Sequence, residues 1–282
     1  MKNPSVRRRV FKERLFRLTV FVLASLVVVP LAFLLGYIVK KGIGVVNWNF
    51  LFSMPAGVGE SGGGIVHSLA GTLLLIVIAV ALSVPVAVAT ALFINDHPKN
   101  RISRLIRFTV DMLQGIPSII MGIVVYLWVV LPMKNFSALA GGVALGIMML
   151  PIVIKSTEET LKMVPESLKE ASMALGAPYY KTVLHVILPA GLSGILTGIL
   201  LGVSRIAGET APLLFTAFGN PFLNTNIFKP VDALPLLIYN YSTSPYPEWH
   251  SLAWGASFIL VAFVLILNLI TRLVVKKWQI KY

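Results

Sequence analysis

Six stretches of the chain run without a single Lys, Arg, Asp or Glu: 18–39, 65–94, 112–133, 135–154, 182–204 and 249–271. Each approaches or exceeds the roughly 20 residues that a helix needs to cross about 30 Å of hydrocarbon. Inside lipid only a helix satisfies its own backbone hydrogen bonds when no barrel closes, so the pattern predicts an all-α, polytopic membrane bundle of about six transmembrane helices. The fifth helix is expected to start near Pro189 and to run past Arg205 towards Phe218. Pro85, Pro117 and Pro151 lie within apolar runs and are expected to kink or interrupt them.

The polar segments between these runs are not equivalent. The N-terminal segment carries Lys2, Arg7, Arg8, Arg9, Lys12, Arg14 and Arg17, the second loop Lys99, Arg101, Arg104 and Arg107, the fourth Lys155, Lys162, Lys169 and Lys181, and the C-terminus Arg272, Lys276, Lys277 and Lys281. The other side has only Lys40, Lys41, Lys134 and Lys229. The positive-inside rule therefore places both termini in the cytoplasm, which an even number of spans requires. The chain divides accordingly into a cytoplasmic basic segment 1–17, an anchor helix 18–39, an outer loop 40–64, a five-helix core 65–275 and a cytoplasmic tail 276–282. The core includes an inner loop 156–189 and an outer loop 219–250. The first run is too long for a cleaved signal peptide and is expected to remain as an anchor. Gly57, Gly59, Gly62, Gly63 and Gly64 make the first outer loop flexible. The long 219–250 loop suits either docking of an outer partner or packing over the bundle mouth.

Composition removes several classes of function. Of the residues, 57% are hydrophobic and only 12% charged. The net charge of +13 flanks apolar runs instead of covering one face, which argues against nucleic acid and for topology. There is no cysteine, and His67, His97, His185 and His250 are scattered singly, so no metal site is expected. No G-x-x-x-x-G-K-[ST] phosphate loop occurs; Lys155-Ser156 and Lys181-Thr182 lack the glycine that must precede the lysine.

The fourth loop carries the most informative pattern. Pro165 and Glu166 open a helix-forming run over 167–175, Gly176 is placed to end it in a left-handed conformation, and Pro178 forbids its continuation. Small residues at Ala171, Ser172 and Ala174 leave room for a partner to approach closely; an ordinary amphipathic connector is the plainer alternative. Glu170-Ala171-Ser172, three residues, Gly176, nine residues, then Val186-Ile187-Leu188-Pro189 resembles the E-A-A…G…I-x-L-P loop of binding-protein-dependent ABC importer permeases. Ser172 and Val186 depart mildly from it. The resemblance implies a type I importer permease fold and a coupling role for Glu170, Ala171, Ser172, Gly176 and Pro189 against a separate ATPase subunit. That subunit would use ATP and Mg; no cofactor is expected on this chain, and it is not expected to be an enzyme.

From Gly62 to Arg272 the chain is similar to the A-type permease subunits of bacterial phosphate-specific transport systems. The residues that carry this are Gly71-Thr72, Gln114-Gly115-Ile116-Pro117-Ser118-Ile119, Leu150-Pro151-Ile152-Val153-Ile154-Lys155, 205–214 with its Gly208-Glu209-Thr210-Ala211-Pro212 block, and 234–240. The resemblance implies phosphate import in the bacterial inner membrane. The implied partners are a homologous C-type permease subunit, two copies of an ATPase subunit and an extracytoplasmic phosphate-binding protein, besides membrane lipid. A permease for molybdate or sulfate, and a membrane component of phosphate signalling, are the alternatives. A proton-coupled transporter is disfavoured, because no paired inverted halves are visible.

Arg205 and Glu209 stand inside or beside an apolar run, where charge is costly and by default functional. Four apart, they are expected to share a helix face with Gly194, Gly198 and Gly202, which would turn that face towards protein or a pore. They form either a structural ion pair or part of the substrate path. An arginine fork suits phosphate, and a carboxylate could accept the proton that phosphate carries near neutral pH and sulfate lacks. Lys155 is either a second path contact or a lysine snorkelling to the interface. Asp111 reads as an acid at a helix N-terminus, Gly115 and Pro117 as a possible hinge, and His67 and His185 as packed or interfacial.

Overall fold

A computed structural model of the chain describes residues 4–57, 60 and 62–278. Lys2, Gly59, Lys281 and the side chains of Arg7, Lys276 and Lys277 lie outside the described residues. Eleven helices are found among the described residues. The first four are α1 (Pro4–Gly42), α2 (Trp48–Phe52), α3 (Val66–Asp96) and α4 (Arg101–Gly115). They are followed by α5 (Ser118–Met133), α6 (Ala138–Met163), α7 (Glu166–Ala174) and α8 (Tyr179–Ile206). The last three are α9 (Ala211–Leu214), α10 (Leu234–Ser242) and α11 (Pro247–Trp278). The only extended pairing among the described residues is an isolated bridge between Phe218 and Val231.

Five helices, α1, α3, α6, α8 and α11, are long and apolar enough to cross a membrane, and a sixth span is formed by α4 and α5 only if a bend of 107° is counted within it. This corrects the expected third span at 112–133. Gly115 and Pro117 do more than kink that helix: Pro117 disfavours a helical Ile116, which is extended at ψ 127, and the chain turns sharply before Ser118. α4 begins much earlier, where the Asn100 side chain accepts a hydrogen bond from the Ile102 N–H. Asp111 is therefore deep in a helix and not at its N-terminus.

The fifth helix is displaced from its expected place: it starts at Tyr179, well before Pro189, and also ends early. α8 ends at Ile206, short of Phe218, because Gly208 and Pro212 interrupt it and the backbone tightens. Gly208 N bonds Arg205 O at 3.3 Å and Glu209 N bonds Ile206 O at 3.2 Å. Its first half holds a π turn, Val183–Ile187, and α5 holds another, Tyr126–Val130. Each lies just before a proline, Pro189 or Pro132. A proline has no N–H to give and its ring presses on the carbonyl four residues back, so the wider turn relieves a conflict that an α turn would impose.

The centre is α6, flanked by α3 and α8. Gly141 and Gly142 admit Leu75 and Ile78 of α3: a Cβ on Gly142 would stand 2.3 Å from Ile78 Cγ2. On the other flank Gly194 and Gly198 lie over Thr160 and Ser156, and a Cβ on Gly194 would meet Thr160 Oγ1 at 2.1 Å. The glycine face of α8 thus packs on protein, as its spacing predicts. α1 contrasts with all of these. No residue of its apolar window is buried, as suits a helix surrounded by lipid, and it touches the rest near its end, where Tyr37 meets Trp254 edge-on at 5.1 Å.

The 219–250 loop is partly ordered by α3. Gly71 faces Asp232 so closely that a Cβ would lie 1.9 Å from the Asp232 carbonyl oxygen. The Leu234 N–H donates to Thr72 Oγ1 at 2.9 Å. Buried Asp232 accepts from Ser68 Oγ and lies 3.3 Å from His67 Nε2.

Candidate functional site

The residues singled out in the sequence fall into two groups at different heights of the bundle. The first forms where two interrupted helices meet. The bend at Gly115–Pro117 and the break at 207–210 lie against each other, with Gly122 of α5 facing the backbone of Pro212 (a Cβ there would be 2.7 Å from Pro212 Cα). Arg205, on the last turn of α8, shares a narrow niche with Gln114, Ile116, Met121, Met148 and Pro151. Irregular backbone at membrane depth is tolerated where it is buried in protein or lines a cavity.

Arg205 and Glu209 are neighbours, but not on one helix face, since α8 has ended between them. Arg205 Nε lies 3.7 Å from Glu209 Oε1, too far for a good hydrogen bond. Among the described residues Arg205 donates no hydrogen bond, and its side chain is 42% exposed, against 18% for Glu209. A guanidinium with its donors free, partnered by a carboxylate at arm's length, can take a planar or tetrahedral oxyanion on its fork.

Lys155 lies nearer the basic loops, on α6. Its Nζ is 2.6 Å from Asp111 Oδ1 and donates to Gln114 Oε1 at 3.3 Å. Gln114 thus borders both the Arg205 niche and the Lys155 pair. A cavity of about 220 Å³ continues from Lys155 past Arg107, Glu158 and Lys162. There Glu158 Oε1 receives Arg107 at 2.9 Å and Lys162 at 2.6 Å. The bend at Gly115 and Pro117 therefore brings Gln114 and Asp111 to the line between Arg205 and the basic end, an arrangement that a straight third helix would not produce.

The second group is the loop between α6 and α8. α7 has no buried residue. Gly176 has φ +82, with its N–H on Met173 O at 2.9 Å and the Ala177 N–H on Ser172 O at 3.3 Å, the Gly-ended helix stop read from the sequence. Glu170 and Ala171 are exposed, as are Met173 and, at 90%, Leu175. Ser172 instead turns inward, its hydroxyl 2.9 Å from that of buried Thr182, so the departure from the E-A-A pattern fills a polar contact. Pro189, also exposed, follows the π turn of α8.

Sequence reasoning missed Asp96, the last residue of α3. It accepts from Lys169 Nζ at 3.0 Å and from the Tyr179 hydroxyl, and Lys169 lies 5.2 Å from the centre of the Tyr179 ring. Asp232 was missed as well. A lone Asp after a proline-rich loop gives no periodic signal, and only the fold reveals its partners. His67 is packed, as expected, whereas His185 is exposed. Among the described residues no group of three His, Cys, Asp or Glu side chains is placed to hold a metal.

Comparison with known proteins gives one family. Residues 83–280 match the family described as binding-protein-dependent transport system inner membrane component. The phosphate transport system permease protein PstA of Yersinia pestis is 40% identical over 240 residues, covering 85% of this chain and 81% of the relative. PstA 1 of Mycobacterium tuberculosis H37Rv is 36% identical over 279 residues, covering 96% and 90%. Among solved structures, a chain of the MetNI methionine ABC transporter in an inward-facing conformation superposes with a TM-score of 0.59 at 20% identity, covering 77% of this chain and 95% of that one. At that identity the likeness concerns the fold.

Proposed function

We propose a function from one premise: the chain belongs to the family of binding-protein-dependent transport system inner membrane components. It is a multi-pass membrane permease of an ABC phosphate importer, with the fold of the type I importers. The molybdate or sulfate alternative is not favoured, since the relatives, matched over most of their length, are phosphate permeases. In our reading the chain forms half of the translocation path beside a homologous C-type subunit. Two copies of an ATPase subunit bind on the side of the basic loops, and a phosphate-binding protein delivers substrate from the other side. Both termini and the α7 loop then face the cytoplasm, as the distribution of Lys and Arg supports. ATP and Mg are used by the ATPase subunits.

Arg205 carries the reading of the path. A half-exposed guanidinium without a hydrogen-bond partner among the described residues, at the junction of two broken helices, is the feature that suits an oxyanion best. Phosphate near neutral pH accepts hydrogen bonds from Arg205 and, keeping its proton, donates a hydrogen bond from its P–OH to Glu209; sulfate has no such donor and meets only repulsion from the carboxylate. Lys155, reached past Gln114, is the second contact on the way to the cytoplasm. A purely structural Arg205–Glu209 pair would be expected to close to hydrogen-bond distance and to be shielded, unlike the 3.7 Å separation here. Across the bundle end, Glu170, Ala171, Ser172, Gly176 and Pro189 couple the path to the ATPase, with Met173 and Leu175 as the apolar tip of the knob. The bend at Gly115–Pro117 serves as a hinge between α4 and α5.

The test is ATP-dependent uptake by vesicles containing this chain with its C-type partner and ATPase subunits. Labelled phosphate should accumulate only with ATP and the phosphate-loaded binding protein. Uptake of molybdate or sulfate in place of phosphate would overturn the substrate assignment. Uptake without any ATPase subunit would overturn the class.

A further inference from the structure

We propose that Asp96 is a positioning residue for transport. It ties α7 to the end of α3, and α3 then carries the movement of α7 to the far mouth of the bundle. The inference rests on the reading of α7 as the ATPase-facing coupling helix, and it assigns that helix its mechanical link.

The argument starts from what holds α7. A nine-residue helix with no fully buried side chain gains little from an apolar core, so it keeps its place largely through its chain connections and polar contacts. Its own tie to the end of α3 is Lys169, bound to Asp96 Oδ1 at 3.0 Å. The second oxygen of the same carboxylate accepts from Tyr179, the first residue of α8. One side chain thus joins three segments: the end of α3, the exposed helix and the start of the following span. Lys169 lies beside the Tyr179 ring as well, which closes the group. A carboxylate at a helix C-terminus is opposed by the helix dipole, and the Lys169 ammonium offsets that repulsion.

From Asp96 the helix runs unbroken for 31 residues, about 46 Å, through Pro85 to Val66. Its middle is seated on α6, with Leu75 and Ile78 in the gaps left by Gly141 and Gly142. At its far end it is fixed to another segment. The Gly71 backbone abuts the Asp232 carbonyl, Thr72 accepts from Leu234 N, and Ser68 and His67 reach the Asp232 carboxylate. These contacts are buried and cannot be exchanged for water without leaving polar groups unpaired. Leu234 opens α10, so displacement of α3 is displacement of the ordered part of the outer loop. The exposed helix at one end and the mouth segment at the other are therefore attached to the same rod.

The experiment measures phosphate imported per ATP hydrolysed, using the complete complex in vesicles with phosphate-loaded binding protein. Asp96→Asn keeps the shape and removes the charge that holds Lys169. The ratio should fall about tenfold, in the range of ordinary coupling energies, while the amount of ATPase subunit bound per complex is unchanged. Asp96→Glu should recover part of the ratio. Lys169→Gln and Tyr179→Phe remove the two donors one at a time from outer positions and should each lower the ratio less. Thr72→Val should lower it from the other end. A wild-type ratio in Asp96→Asn overturns the proposal. So does a fall that merely follows loss of the ATPase subunit, which is the mark of a structural role. If the wild-type complex transports a different oxyanion, the substrate reading fails and the ratio is read with that anion, so the two failures stay distinct.

Discussion

At its first turns α3 grips the Asp232–Leu234 segment by contacts that are buried, partly backbone to backbone, and so close that one glycine is obligatory. At its last residue the same helix holds α7 through Lys169 and the start of α8 through Tyr179, both on one partly exposed carboxylate. The difference follows from surroundings. The far end is closed over by the 219–250 loop, where an unpaired polar group costs about 1–3 kcal/mol, and there Ser68 Oγ and the Leu234 N–H both find acceptors. The basic end is open to water, where ionic contacts cost little to break and remake. A joint that is to be displaced in each transport cycle belongs at the second kind of contact, and a fixture belongs at the first.

Substitutions can break this contrast. The largest effect is expected for Gly71→Ala, whose Cβ must displace the Asp232 carbonyl from 1.9 Å; the complex should lose about 3 kcal/mol, read as a fall in the thermal unfolding midpoint in detergent. Thr72→Val strands the buried Leu234 N–H and should cost about 2 kcal/mol by the same measurement. At the basic end Gly176→Val forces a β-branched residue into φ +82, a strain of about 1–2 kcal/mol confined to the loop. Its mark should be loss of ATPase-subunit binding and of transport together, with the unfolding midpoint little changed. Wild-type levels of both would remove the coupling assignment. The smallest stability effect belongs to Lys169→Gln, under ~1 kcal/mol because the pair is partly in water. If Lys169→Gln destabilised the bundle as much as Thr72→Val, the contrast between the two ends would be wrong.

Much of this architecture was legible beforehand because lipid imposes a simple code. Charge-free runs marked five of the spans, and glycines four apart marked the face of α8 that meets α6. The stop of α7 at Gly176 was legible because a left-handed residue after a short helix has few alternatives. The misreadings have one source. Gly115-Ile116-Pro117 carries no charge, so hydropathy passes over it, and Gly208-Glu209-Thr210 was read as a continuing helix because Glu209 lies four residues after Arg205, although backbone preference ends a helix at both. A straight third span then left Asp111 as a helix-start acid, when the bend in fact carries it to Lys155. Asp96 and Asp232 lay beyond sequence reasoning for another reason: their partners are 73 and 164 residues away, and nothing local announces a contact of that range.

The central claim is that Arg205 and Glu209 meet the transported phosphate. It is tested most directly by phosphate uptake in reconstituted vesicles, normalised to assembled complex. Arg205→Lys keeps the charge but loses the fork, and uptake should fall at least about tenfold with assembly intact. Glu209→Gln should weaken phosphate uptake and raise tolerance of sulfate when the binding protein is bypassed. Loss of uptake that only tracks loss of assembly, with recovery in the exchanged pair Arg205→Glu and Glu209→Arg, would contradict the claim and leave the two residues as a structural bridge.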